Sequence, residues 1–249
     1  MTTAAIIQAR MGSTRLPGKV LMPAAGQPIL WHVIHRVRQC RGIDVVVVAT
    51  SDDASDDVLE DFCRDEGVAC VRGPLLDVLE RYRLAACVTG ATRLVRLTSD
   101  APLVDPGIVD YLLNALTAEN GDFVLMHPGA RCAHEGADAF SRRALDWLTT
   151  YASEDPVARE HVTSWFKLNP GHVKTVLVPE YAPLAFPSAR LSIDTQEDLE
   201  FLRTVYDRLG AAPGEAKLHD ILLLLEAHPE LRTINGHVRQ KPATETQAA

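Results

Sequence analysis

The feature that most restricts the fold is an alternation of short, wholly apolar runs with stretches whose apolar residues recur at helical spacing. Ala4 to Ile7 is apolar throughout, and Ile43 to Ala49 is interrupted only by Asp44. Such runs belong to strands covered on both faces, as in a parallel sheet. Ile29, Leu30, Val33, Ile34 and Val37 mark one amphipathic helix ending near Cys40. Val58, Leu59 and Phe62 mark a second, with Ser55 as its cap and Gly67 as its stop. Val68 to Val71 reads as a strand, and Leu76, Leu79, Tyr82 and Ala86 as a helix closing at Gly90. Leu94 to Leu97 is the next strand, and Asp105-Pro106 caps and opens a helix through Leu116. Three strand–loop–helix units in about a hundred residues predict an α/β fold with a doubly wound, mostly parallel sheet.

The rhythm changes after Asp122. A strand, Phe123 to Met126, runs into a loop from His127 to Ala137, and Ser141 caps a helix carrying Leu145, Trp147 and Leu148. Glu154-Asp155-Pro156 opens one helix holding Val157, Val162, Trp165 and Phe166. Strands are expected over Val173–Val178 and Ala189–Ile193, and a helix starts at Thr195 with Asp198 in a capping-box pattern. Lys217 to Ala227 is the final helix, and the polar tail over 242–249 is expected to fray. At 249 residues and 47% hydrophobic content, one domain over 1–249 is expected, with a small lobe inserted over about 130–180. That lobe places Trp147, Tyr151, Trp165 and Phe166 outside the sheet pattern, which predicts a homodimer that buries them, the alternative being that they fold back onto the parent sheet.

A net charge of −8 argues against a nucleic-acid or membrane-surface partner. The five cysteines form no C-x-x-C pair, so they are read as small buried hydrophobes in a reducing compartment. With no signal peptide and no apolar run near the ~20 residues of a membrane span, a cytoplasmic protein is expected.

Against that acidic background, the loop after the first strand is basic. Arg10, Arg15 and Lys19 stand among Gly12, Ser13, Thr14 and Gly18. A loop leaving a strand lies at the carboxyl edge of a sheet, where ligands bind, and cations beside small residues suit a polyphosphate. A solvated basic loop is the alternative. It is not a Walker A loop, because five residues separate Gly12 from Gly18 and Val20 follows Lys19; no G-x-G-x-x-G is present either. Asp100 closes the fourth strand at the same edge, as a Mg²⁺ ligand or as a turn aspartate. Asp194 closes another strand, and because Thr195 takes the helix cap, Asp194 is left for another duty or is a purely structural strand-end aspartate.

The stretch Ile7-Gln8-Ala9-Arg10-Met11-Gly12-Ser13-Thr14-Arg15-Leu16-Pro17-Gly18-Lys19-Val20-Leu21 strongly resembles the signature of cytidylyltransferase-like proteins related to spore coat polysaccharide biosynthesis. These are kin of the CMP-sialic acid and CMP-3-deoxy-octulosonate synthetases. The resemblance implies a nucleotide-diphospho-sugar transferase-like (GT-A-like) fold. It sets Arg10 and Lys19 on the triphosphate, with Ala9, Gly12, Ser13 and Arg15 assisting. Thr98-Ser99-Asp100-Ala101-Pro102-Leu103-Val104-Asp105-Pro106 resembles the family's Thr-Gly-Asp-x-Pro-Leu-x-Asp-Pro, which makes Asp100 a catalytic metal ligand beside Thr98. Ser99 and Ala101 replace a glycine and a cysteine. Ile193-Asp194-Thr195-Gln196-Glu197-Asp198-Leu199 resembles the stretch that supplies the second metal ligand, here Asp194.

Thr50 and Arg72 are where base and ribose would lie, unless they are ordinary loop polarity. His134 to Phe140 resembles an acceptor-binding pattern but is two residues shorter and lacks its second acid, carrying Gly136 and Asp138 to the acceptor. Arg159-Glu160-His161-Val162-Thr163 matches the family, so Arg159 and His161 belong to the acceptor site or to an interface. The implied reaction is Mg²⁺-dependent transfer of CMP from CTP to a sugar acid or other anionic acceptor, with release of pyrophosphate, in a homodimer. Two other classes compete. A glycosyltransferase wants an Asp-x-Asp motif, yet neither Thr98 nor Pro102 is acidic; an inactive nucleotide-binding protein would fit the departures at Ser99 and over 134–140. Sugar-1-phosphate nucleotidyltransferases open on Gly-Gly-x-Gly, which is absent here.

Overall fold

A computed structural model describes residues 1–133, 136–187, 189–242 and 244. The first half follows the expected alternation. Strand β1 (Thr3–Gln8) leads through the basic loop to a small hairpin, β2 (Pro23–Ala24) and β3 (Gln27–Pro28), and then α1 (Ile29–Val37). Next come β4 (Val45–Ser51), α2 (Asp57–Asp65), β5 (Ala69–Gly73), α3 (Val78–Thr89), β6 (Arg93–Thr98) and α4 (Pro106–Ala118). The second half holds β7 (Phe123–Met126), β8 (Ala137–Ser141), α5 (Arg142–Tyr151), α6 (Pro156–His161) and α7 (Ser164–Leu168). It closes with β9 (Thr175–Val178), α8 (Gln196–Leu209) and α9 (Leu218–Ala227).

Seven strands form one sheet in the order β5-β4-β1-β6-β8-β7-β9. Strand β1 lies at its centre, with Ala5 opposite Val46 on one side and Val95 on the other, both parallel. Strand β8 runs against β6 and β7, while β9 is parallel to β7. Alternation along β1 divides the core: Ala5 and Ile7 join the layer of α1, α2, α4, α8 and α9, whereas Ala4 and Ile6 join the layer of α3 and α5–α7. Both faces are therefore covered, and each fully buried Ile contributes roughly 1.5–3 kcal/mol relative to exposure. No described helix is long and apolar enough to cross a membrane.

The sequence expectations fail in five places, each for a local reason. Strand β8 occupies what reads as a loop and a cap, because Ala137-Asp138-Ala139-Phe140 alternates one polar residue with small ones and shows no β-branched signal. Ala189–Ile193 is not a strand; Leu191 and Ile193 are buried, and the Ile193 amide bonds the Asp100 carbonyl at 2.8 Å instead of a sheet neighbour. The single helix expected over 154–166 breaks in two at Val162, whose φ is +50°. Asp53, not Ser55, supplies the cap before α2, its carboxylate accepting from the Ser55 amide at 2.8 Å. Cys87 is exposed, although Cys40 and Cys63 are buried.

Residues over 130–180 give β8 to the middle of the sheet and lay α5–α7 on its face. Trp165 and Phe166 are buried there and Trp147 packs against them; Tyr151 alone of the four aromatics is exposed. The expected fraying falls largely on residues outside those described.

Candidate active site

A cleft of about 1240 Å³ opens at the carboxyl edge of the parallel strands. Its rim is the loop after β1, the turn after β6 and the irregular segment before α8. The first loop is fixed at its neck by Asp56, 1% exposed, which accepts from the Met11 amide at 2.7 Å and from the Ser51 amide and hydroxyl. Gly18, at φ +71°, turns the chain back so that its amide bonds the Met11 carbonyl at 2.9 Å. A side chain rarely adopts that backbone conformation, which accounts for the glycine. The turn that follows aims Lys19 inward.

The Lys19 ammonium is buried, and its three N–H donors are all used. They reach Asp100 Oδ2 at 2.8 Å, Asp194 Oδ1 at 2.9 Å and the Ile193 carbonyl at 2.7 Å. Burial works against its charge, but Asp100 and Asp194 outweigh burial and raise its pKa above 10.5. The other oxygen of Asp194 accepts Arg15 at 2.9 Å and Arg190 at 2.8 Å. Burial pushes the Asp194 carboxyl up, and these cations, led by Lys19, bring it below its ordinary value.

Behind Asp194 stands Asp198. It accepts Arg190 Nε at 2.7 Å, Arg190 Nη2 at 2.9 Å, the Asp194 amide at 2.9 Å and the Thr195 amide at 3.0 Å. Asn235 adds a bond at 3.0 Å, and both halves of the capping box form. The chain near its end reaches this cluster, since Gln240 accepts from Arg190 at 2.6 Å and the Arg239 carbonyl from Arg15 at 3.3 Å.

Asp100 and Asp194 thus converge on one point, held by an ammonium. Two hard oxygen donors within reach of one cation are what Mg²⁺ takes from protein, its other ligands being phosphate oxygens and water. Among the described residues there is no group of three or more His, Cys, Asp or Glu that would hold a metal alone. The donor chemistry fits a nucleotide-borne divalent ion, with Asp100 the more open of the two at 27% side-chain exposure.

On the α3 side of the cleft stand Arg10 and the buried Arg81, whose pKa burial and Arg10 both lower. Deeper lie Arg96 of β6 and Lys167 of α7, bound to Asp138 of β8 at 3.4 and 2.7 Å. Thr163 donates to the same carboxylate at 2.7 Å. Burial pushes Asp138 up, and Lys167 and Arg96 outweigh it, holding its carboxyl well below the usual range.

Of the residues singled out by sequence, Ala9, Arg10, Ser13, Arg15, Lys19, Thr98, Asp100, Gly136, Arg159, His161 and Asp194 all line this cleft. Gly12 sits exposed on the outer side of its loop. Thr50 is fully buried in β4, and Arg72 is tied to Asp57, Glu60 and the carbonyls of Ser51 and Asp53, so neither lines the cleft. Asp138 lies under the cleft floor, its oxygens filled by Arg96, Lys167 and Thr163. Arg81, Arg96, Lys167 and Arg190 were missed, because a cation on a helix or mid-strand reads as surface; Asp56 carries no motif. Arg96 had one signal: it stands inside an otherwise apolar run, Leu94 to Leu97.

The family model described as Cytidylyltransferase matches residues 4–224. The spore coat polysaccharide biosynthesis protein SpsF of Bacillus subtilis is 34% identical over 234 residues, 92% of this chain and 95% of that protein. A 3-deoxy-manno-octulosonate cytidylyltransferase of Anaeromyxobacter dehalogenans is 33% identical over 64% of this chain and 70% of its own. Among solved structures, a cytidylyltransferase from Leptospira borgpetersenii superposes with a TM-score of 0.85 at 29% identity, covering 97% of this chain and all of that one. The CMP:2-keto-3-deoxy-manno-octonic acid synthetase complexed with CTP shares the fold, at a TM-score of 0.64 and 20% identity over 84% of this chain and all of its own. A seven-stranded, mostly parallel sheet, a basic loop at its carboxyl edge and two facing aspartates are thus joined to a match over most of the chain: this protein is an enzyme of the cytidylyltransferase family.

Proposed function

We propose that the protein transfers CMP from CTP to a small anionic acceptor, a sugar acid being the first candidate, and releases pyrophosphate. The observation that carries the reading is Lys19 meeting Asp100 and Asp194 at 2.8 and 2.9 Å inside a cleft lined by arginines. The acceptor oxygen attacks the α-phosphorus in line with the departing pyrophosphate. Arg10, Arg15 and Lys19 neutralise the charge that gathers on the phosphates, which is most of what a protein contributes to such a displacement. Asp100 and Asp194 would hold Mg²⁺, which when bound polarises a phosphate oxygen and orients the triphosphate. Lys19 is held protonated and acts as a fixed charge, not as a base.

The reading includes a cytoplasmic homodimer. What supports pairing is the outer edge of β9, an end strand with Leu177 half exposed, since an unpaired strand edge is a template for another chain. Light scattering after size-exclusion chromatography tests this; a 27.2 kDa monomer at micromolar concentration refutes it. The chemistry is tested by pyrophosphate release with each of the four nucleoside triphosphates over a panel of sugar acids, sugar phosphates and phosphonates. Faster release from ATP or GTP than from CTP, or transfer of sugar from a nucleotide sugar, sinks the proposal.

A further inference from the structure

The chain returns to the cleft after residue 224, where the match to the family model ends. Asn235, 2% exposed, pins the returning segment: its side-chain amide donates to the Arg190 carbonyl at 3.2 Å and to Asp198 at 3.0 Å. From that anchor, residues 239–242 run along the cleft mouth. The Arg239 carbonyl accepts from Arg15 at 3.3 Å, and Gln240 accepts from Arg190 at 2.6 Å. Gln240, Lys241 and Pro242 are exposed and line the cleft.

We propose that this C-terminal strap is part of the nucleotide site and that Lys241 binds the outer phosphates of the triphosphate. The inference rests on the nucleotidyl-transfer reading and deepens it. Charge carries it. Lys19, Arg15 and Arg190 face Asp100, Asp194 and Asp198, three cations against three carboxylates, so that cluster alone offers a polyphosphate no net charge. Arg96 and Lys167 are paired with Asp138, and Arg159 with Asp77. Of the Lys and Arg residues lining the cleft, Arg10, Arg81 and Lys241 are left without an ion pair among the described residues. A nucleoside triphosphate carries about four negative charges at neutral pH, about two of them on its terminal phosphate. A divalent ion offsets about half. Arg10 and Arg81 stand on the α3 side, whereas the strap rises from the layer of α8, on the other face of the sheet. Lys241 follows, by two residues, the carbonyl that holds Arg15 of the phosphate loop. A triphosphate on that loop therefore lies between unpaired cations on both sides. A flexible ammonium on an exposed segment can meet the outer phosphates, where the charge is densest.

The experiment is calorimetric titration of the full-length protein with CTP and with CMP, in magnesium buffer and without an acceptor. Lys241→Gln should weaken CTP binding about three- to tenfold at low salt, as expected for a lost charge-assisted contact at an exposed site, and the loss should shrink as salt is added. CMP, which has no outer phosphates, should bind the variant as it binds the wild type. Lys241→Arg should keep the wild-type CTP affinity. Lys217→Gln, the same charge change outside the cleft at the start of α9, should leave CTP binding unaltered. Unchanged CTP affinity in a folded Lys241→Gln variant overturns the proposal. So does an equal loss for CTP and CMP, or an equal loss of CTP affinity in Lys217→Gln. A wild-type protein that does not bind CTP refutes the nucleotidyl-transfer reading itself, and the proposal with it.

Discussion

Asp198→Asn is a change of one atom at a residue that contacts no solvent. One carboxylate oxygen of Asp198 accepts Arg190 Nε at 2.7 Å and Asn235 at 3.0 Å; the other accepts Arg190 Nη2 and the amides of Asp194 and Thr195. The Thr195 hydroxyl adds a fourth donor to this second oxygen at 3.3 Å, and an amide can keep its oxygen on that side. Its NH₂ then faces the Arg190 Nε–H, donor against donor, and Arg190 loses the carboxylate that balances it in a place where its side chain is 10% exposed. Removing one partner of a buried ion pair costs about 3–5 kcal/mol. For a domain of this size each kcal/mol is worth roughly 2–4 °C, so the melting temperature should fall by about 6–20 °C. Scanning calorimetry or a urea titration measures it, with the exposed neighbour Glu197→Gln as control. A fall of less than about 2 °C refutes the reasoning, because Asp198 would then be only a helix-dipole partner worth a few tenths of a kcal/mol.

Asp100→Asn should lower pyrophosphate release about a hundredfold with little change in melting temperature, since Asp100 lies at the cleft, partly exposed, and its loss opens no core; release within a fewfold of wild type would make Asp100 a turn residue. Gly136→Ala should destabilise the protein and weaken CTP binding in a thermal-shift titration, because a Cβ there would sit 2.5 Å from Ala101 Cβ and 2.8 Å from Thr98 Oγ1 at a φ of +81°; wild-type behaviour would mean the turn after β6 yields freely. The third concerns pH. The folded-state pKa of Asp138 lies below its ordinary 3.8, so its stabilisation is complete above that value and is lost as pH falls through the lower folded one. Asp138→Asn should therefore show a lower melting temperature at neutral pH and a shallower decline between about pH 5 and 2; a decline as steep as the wild type's contradicts the assignment.

The parts of the fold that could be read from sequence are those where periodicity and burial coincide. Strands β1 and β4 are continuous apolar runs because both their faces are covered, and α4 and α8 announce themselves through Asp105-Pro106 and the Thr195–Asp198 box, each of which forms as written. Strand β8 was invisible because its packing uses alanines, which carry no strand preference, and its register is imposed by β6. The site divided the same way. Arg10, Lys19, Asp100 and Asp194 stand in the loops or segments after apolar runs, where polarity stands out. Arg81 and Arg190 act from positions where a cation reads as an ordinary surface residue, and their contacts are 32 and 4–50 residues away in the chain. Asp198 shows how a correct local reading hides a larger one: it does complete the helix cap, and the same carboxylate also fastens Arg190 and Asp194.

The reversed direction of β8 also bears on how such a protein can change over time. In parallel strands only the segments that follow them reach the binding edge. Because β8 runs the other way, the segment that precedes it arrives at that edge instead, with Gly136 against Thr98 and Ala101. The loop between β7 and β8 can therefore lengthen or shorten without disturbing the strand–loop junctions that carry Lys19 and Asp100. Under the proposed function, one rim of the cleft is free to drift toward new acceptors while the other stays committed to the nucleotide.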